Sequence, residues 1–206
     1  MASLLVYYAH PGHLTSRVNK ELAKVAASIE GIDFFDLYAA YPRHNIDIDA
    51  EQQRLLDHDV ILFQCPLFWY STPSLIKEWQ DLVLEHGFAY GAGGDALEGK
   101  TMMFALTAAG PDDAYTTEGY QHYPLRTFLT PLEQTARLSK MRFAAPYVLY
   151  ASLNAPDDGE VAPHADGYRN MLVAIRDDRY DFNAADTLGV VQYDTLPIRE
   201  EGDGHG

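Results

Sequence analysis

"SLLVYYAHPGHLTSRVNKELAKVAASI", residues 3–29, decides the fold. Ser3 to Ala9 is short, apolar and rich in β-formers, so it reads as a buried strand. Val18, Leu22, Val25 and Ile29 then recur at helical spacing, behind a Thr15-Ser16 pair suited to capping. Between them His10, Pro11, Gly12 and His13 show no hydrophobic rhythm. A strand that runs through such a loop straight into a helix opens a βα alternation.

The alternation continues outward. "IDFFDLY" (32–38) reads as a second strand, Asp49 to Asp57 as a short helix, and "VILFQC" (60–65) as a nearly continuous apolar strand. A third helix follows Pro73, with Leu75, Ile76, Trp79, Leu82 and Val83 on its buried face. "TMMFALTA" (101–108) is a fourth strand, and a helical segment over 124–139 is kinked or divided at Pro131. "YVLYA" (147–151) is a fifth strand, and His164 to Asp178 a last helix. Strands this apolar have no wet face, so the fold class is α/β, a five-stranded parallel sheet with helices on both faces. Five strands favour the flavodoxin-like order 2-1-3-4-5. Residues 1–182 form one domain. Residues 183–206 turn acidic and glycine-rich and are expected to be a mobile or loosely packed tail.

The 206 residues are 47% hydrophobic and 12% aromatic, which fits one globular domain. With 15 basic and 30 acidic residues the net charge is -15, a field that repels nucleic acid and anionic membrane surfaces. An anionic ligand must therefore be held by local donors. The single cysteine, Cys65, excludes an internal disulfide and fits a reducing cytoplasm; it reads as a packed core thiol. The N-terminal apolar run is too short for a signal peptide, and no stretch approaches the about 20 apolar residues of a membrane helix.

In such a sheet the ligand crevice lies beyond the carboxyl ends of the strands, at the switch between strands one and three. Three loops arrive there: "HPGHLTSRVN", "PLFWYSTP" and "TAAGPDDAY". The first ends at a helix N-terminus, where free amides and the helix dipole favour an anion. Ser16, Arg17 and Asn19 add a hydroxyl, a charge and an amide suited to a phosphate; the competing reading is a plain helix cap. Phe68, Trp69 and Tyr70 can wall a flat ring, or form a hydrophobic lid. Ala108, Ala109 and Gly110 let a ligand approach the backbone, or simply make a tight turn. A phosphate at one end and a flat heteroaromatic ring at the other is the outline of flavin mononucleotide. His10 and His13 form no metal site with neighbouring carboxylates, and no metal is expected. His44, His58, His86 and His164 join no constellation, and Asp112-Asp113 reads as a solvated turn.

"YAHP" followed by S-R-V-N, "PLFWYSTPSLIKEW" and "HGFAYGAGGDALEGK" together resemble the flavodoxin-like NAD(P)H dehydrogenase (quinone) family. Within it the likeness is greatest to the ancillary proteins of potassium efflux and the modulators of drug activity, over about Leu4 to Ile175. The resemblance implies a bound flavin, FMN in the short bacterial members with FAD as the other form, and NADH or NADPH as electron donor. It implies a homodimer and a quinone-like acceptor. It places His10, Ser16, Arg17, Val18 and Asn19 at the phosphate and ribityl end. Leu67, Phe68, Trp69, Tyr70, Thr107, Ala108, Ala109 and Gly110 would hold the ring.

Where the family usually reads Thr-Thr-Gly-Gly, this chain has Thr107-Ala108-Ala109-Gly110, so two methyl groups either narrow the site or redirect the loop. Tyr115 falls in register with a tyrosine that assists hydride transfer. Gln121 takes the place of the accompanying histidine, and His122 is one residue late. Tyr115 and His122 are the candidate catalytic residues of a ping-pong NAD(P)H oxidoreductase. The alternative is a flavin-binding regulatory partner of a potassium-efflux transporter. Either way the expected location is cytoplasmic, at the inner membrane only through such a partner.

Overall fold

The computed structural model describes residues 1–200. Strand β1 (Leu4–Tyr8) is buried throughout and leads through a 3-10 turn (His13–Thr15) into helix α1 (Asn19–Ala27). After β2 (Ile32–Asp36) comes the short α2 (Leu37–Ala40). The second strand thus ends before Tyr38, because the Asp36 carboxylate accepts from the Ala39 amide and starts a helix. Asp47 caps α3 (Ile48–Leu56) in the same way, and β3 (Val60–Pro66) follows. Next come α4 (Ser74–Val83) and β4 (Thr101–Thr107). The segment expected over 124–139 is divided into α5 (Leu125–Phe128) and α6 (Thr130–Leu138), with Pro131 in the first turn of α6. The last elements are β5 (Arg142–Phe143), β6 (Tyr147–Leu149), α7 (Ala155–Asp158), α8 (Val161–Arg176) and α9 (Phe182–Leu188).

The sheet has the order β2-β1-β3-β4-β5, with β6 also pairing β4, and every pairing between these strands is parallel. The fifth position is therefore shared by two short strands. Ala144, Ala145 and Pro146 part them, and a proline brings no N–H to the ladder. Leu5, Tyr7, Phe63 and Phe104 point to one face, against α3, α4 and α6. Leu4, Val6, Leu62 and Met103 point to the other, against α1 and α8. Cys65 is buried in the first of these cores, and burial pushes its thiol up. Leu82 departs from expectation at 37% exposed. The buried stripe of α4 runs through Leu75, Ile76, Trp79, Gln80 and Val83, and Leu82 lies off it.

Among the described residues one carboxylate, Glu51, is buried in this core. Glu51 accepts hydrogen bonds from the Tyr7 hydroxyl, from Tyr41 at 2.7 Å and from the Trp79 indole at 2.9 Å. Arg54 lies 3.5 Å away. The group ties α3 to β1 and α4.

Residues 183–200, expected to be mobile or loosely packed, lie against the body of the domain. Asp181 caps α9 through the Asn183 and Ala184 amides, and Ala185 and Val191 are buried. Val191 lies parallel to Tyr147: its amide donates to the Pro146 carbonyl, and its carbonyl accepts from the Val148 amide, each at 2.9 Å. Arg142 meets Asp186 at 2.8 Å and Arg199 meets Asp181 at 2.9 Å. Acidic composition hid this strap because its carboxylates are matched by arginines that composition cannot pair. Residues 201–206 of the expected tail lie outside the described residues. Among the described residues no helix is long and apolar enough to cross a membrane.

Candidate functional site

The loops after β1, β3, β4 and β6 meet at one rim, at the carboxyl ends of the strands. Two adjoining compartments open there, of about 280 and 370 Å³. The first is lined by His10, Ser16 to Asn19, Leu67, Phe68, Thr107 and Ala109, the second by Trp69, Tyr70, Gly110 and Tyr115. Leu67, Ala109 and Leu153 belong to both, so the cleft is continuous.

In the first loop Thr15 does not cap α1. Its hydroxyl donates to the Gly12 carbonyl at 2.9 Å, and no side chain caps the helix. Ser16, on the cleft, has no hydrogen-bond partner for its hydroxyl among the described residues. The amides of residues 17–20 likewise find no acceptor among them. The capping reading therefore fails, and the donors are left to a ligand. His10 Nδ1 accepts from the Gly12 amide at 3.0 Å, which leaves Nε2 as the protonated nitrogen of a neutral ring. Burial, and secondly His13, hold the His10 pKa below its usual value. Arg17 reaches the rim but makes a forked ion pair with Asp157, at 2.9 and 3.2 Å.

Asn19 is buried at the cleft floor. Its Nδ2 donates to Thr107 Oγ1 at 2.7 Å and its backbone carbonyl accepts from Gln64 Nε2 at 2.8 Å. Gln64 Oε1 in turn accepts from the buried Tyr168 hydroxyl. The one polar residue in an apolar strand thereby fixes the first turn of α1. Asn19 Oδ1 is buried without a partner among the described residues.

In the second loop Phe68 and Ser71 exchange both backbone hydrogen bonds, at 2.9 and 3.0 Å. The two residues between them turn the chain with φ of 48° at Trp69 and 63° at Tyr70. Such a hairpin normally takes Asn-Gly, and bulky side chains there are strained. The strain displays Trp69, 92% exposed, at the cleft mouth, while Tyr70 packs against Phe128 at 4.8 Å. Phe68 meets the His10 ring edge-on at 5.8 Å, joining the first and second loops.

In the third loop Ala108 is not at the cleft. Its methyl is buried in the core and its amide donates to the Leu149 carbonyl at 2.8 Å. Ala109 is exposed at the cleft, and its amide has no acceptor among the described residues. Neither alanine has a positive φ, so the methyl groups do not redirect the loop. Tyr115 lines the cleft, with burial raising its pKa and the Gly110 amide opposing that rise. His122 is not brought to the cleft: it is exposed, at φ 62°, and Gln121 lines the wall instead.

Sequence reasoning missed Tyr120, Ser152 and Leu153. The last two follow β6, at Ala151 with φ 48°; a loop beyond the carboxyl end of a strand was the available signal.

A parallel doubly wound sheet with its cleft at the β1/β3 switch, free amide donors at one end and aromatic rings at the other, defines a protein of the doubly wound α/β class. The chain belongs to the Flavodoxin-like fold family, which matches residues 2–172. It is 42% identical over 172 residues to the glutathione-regulated potassium-efflux system ancillary protein KefG of Serratia proteamaculans, covering 82% of this chain and 94% of that protein. Among solved structures, a chain described as a thermophilic tryptophan halogenase from Streptomycin violaceusniger is 40% identical, with a TM-score of 0.78 over 81% of this chain and 96% of that one. General stress protein 14 from Treponema denticola, in complex with FMN, is 30% identical, with a TM-score of 0.76 over 85% and 98%. A putative quinone reductase from Klebsiella pneumoniae is 27% identical, with a TM-score of 0.72 over 85% of each chain.

Proposed function

We propose that this protein binds FMN and uses it to pass reducing equivalents from NADH or NADPH to quinones or similar acceptors. The single observation that carries the reading is the continuous cleft, whose donors and rings match the two ends of a flavin. The FMN complex of the Treponema protein and the name of the Klebsiella structure support it.

The residues fit the cofactor. The amides of residues 17–20, the Ser16 hydroxyl and His10 Nε2 would hold the phosphate, the local donors that a protein of net charge -15 needs for an anion. The unpartnered Asn19 Oδ1 would accept from a ribityl hydroxyl. Leu67 to Tyr70, Thr107, Ala109 and Gly110 would border the ring. Bound there, the flavin supplies the hydride chemistry. The Ala109 amide, aimed at no protein acceptor, would stabilise negative charge at the ring edge. Tyr115 would hydrogen-bond the acceptor. The reading includes a homodimer, which the family resemblance supports.

The test is reconstitution. The protein should take up FMN, bleach anaerobically with NADH or NADPH, and recover its colour when a benzoquinone is added. Failure to bind FMN overturns the proposal. Turnover that required halide and tryptophan would favour the activity named for the first structural neighbour.

The 42% identity to KefG supports a second role, as partner of a potassium-efflux transporter. FMN uptake without turnover, together with co-purification on such a transporter, would favour it.

A further inference from the structure

Resting on that function, we infer that Tyr120 is the group that delivers a proton to the reduced acceptor, in the place expected for His122. The geometry begins at two glycines. Beyond β4 the chain makes a 3-10 turn at Asp112–Ala114 and then folds back upon it. The Gly119 amide donates to Thr116 Oγ1 at 2.9 Å, and the Gln121 amide to the Ala114 carbonyl at 3.1 Å. A Cβ on Gly119 would stand 2.4 Å from the carbonyl oxygens of both Asp113 and Ala114, so only glycine allows the return.

The return brings Tyr120 over Gly110. A Cβ on Gly110 would stand 2.7 Å from the Tyr120 hydroxyl and 3.5 Å from the Tyr115 hydroxyl. Two phenols thus converge on one point of the cleft wall, beside the Ala109 and Gly110 amides. Immediately afterwards φ of 62° at His122 turns the chain away. The wall therefore contains Tyr115, Tyr120 and Gln121, and not His122.

The two phenols differ in what they can do. Tyr115 is buried, packed against Phe128 and Tyr150. Tyr120 is 64% exposed, and its hydroxyl has no hydrogen-bond partner among the described residues. Tyr115 can position an acceptor oxygen, whereas Tyr120 can lose a proton and regain one from solvent.

The balance is simple. A quinone that receives a hydride equivalent, supplied by NAD(P)H, becomes a hydroquinone monoanion. The Tyr120 O–H bond breaks as the second acceptor O–H bond forms, and water reprotonates the tyrosinate.

Ferricyanide provides the discriminating experiment, because it takes up electrons without protons. In the FMN-loaded protein Tyr120→Phe should lower kcat for a benzoquinone about 10- to 100-fold. FMN content, kcat/KM for NAD(P)H and ferricyanide reduction should stay unchanged. His122→Ala should alter none of these. A merely structural Tyr120 would lower both rates together, and a bystander would lower neither. Either result overturns the inference while leaving the proposed function in place. An FMN-free parent protein inert to NAD(P)H would sink both.

Discussion

Asn19 Nδ2 donates to Thr107 Oγ1 at 2.7 Å, joining the first turn of α1 to the end of β4 beneath the cleft. Two of the three sequence-distant loops are thereby held in register by one buried hydrogen bond. Asn19→Ala would leave Thr107 and the floor of the site under-satisfied. The expected loss is about 1 to 3 kcal/mol of stability, read by urea unfolding of the apoprotein. FMN affinity, read by flavin fluorescence titration, should fall at least about tenfold, the consequence of one lost hydrogen bond of roughly 1.4 kcal/mol.

The Trp69-Tyr70 turn exchanges stability for display. Replacing the pair by Asn-Gly suits the positive φ values that the structure requires. The double variant should be more stable by about 1 to 2 kcal/mol and should bind FMN more weakly. Equal stability and equal affinity would show that the strain has no role.

His164 gives a pH dependence with a definite sign. It is 1% exposed and stacked on Tyr147 at 4.4 Å, and neither ring nitrogen has a hydrogen-bond partner among the described residues. Burial lowers its pKa from 6.5 to about 3. The unfolded chain binds the proton below pH 6.5 and the folded protein does so only near 3. Stability from this residue is therefore complete above 6.5 and is lost as pH falls towards 3, by up to about 1.4 kcal/mol per pH unit. His164→Phe keeps the stack and should flatten the slope of urea-unfolding free energy between pH 7 and 5. Native carboxylates with lowered pKa values add their losses below about pH 4 in both proteins.

Glu51 makes a contrasting prediction. Its removal strands the Tyr7 and Trp79 donors inside the core. Glu51→Ala should destabilise by about 3 to 5 kcal/mol, read from thermal or urea unfolding. Because the group lies on the sheet face away from α1, FMN affinity of the folded fraction should be unchanged.

Much of this architecture was legible in the chain. Continuous apolar strands alternating with periodic helices specify the parallel sheet, and the switch-point rule points to the same three loops that line the cleft. What escaped has local causes. Thr15 reads as a cap, but its hydroxyl bonds the Gly12 carbonyl three residues back and closes the turn instead. Ala108 shares a loop with Ala109, yet strand alternation carries its methyl into the core. His122 was favoured by residue type, whereas a single positive φ decides its direction. Tyr120 was overlooked because its position depends on two close approaches at glycine, and such approaches have no periodicity. The strap after α8 escaped because one valine beside Tyr147 and two arginine pairs outweigh a polar composition.

That strap also sets an order of events during synthesis. Every cleft-lining residue up to Leu153 emerges from the ribosome before Val191. A nascent chain can thus bring the cleft loops together while the Tyr147 side of its sheet is still an open template for other strands. Early cofactor capture would then steady an intermediate whose last seam closes only when translation has passed the final helix.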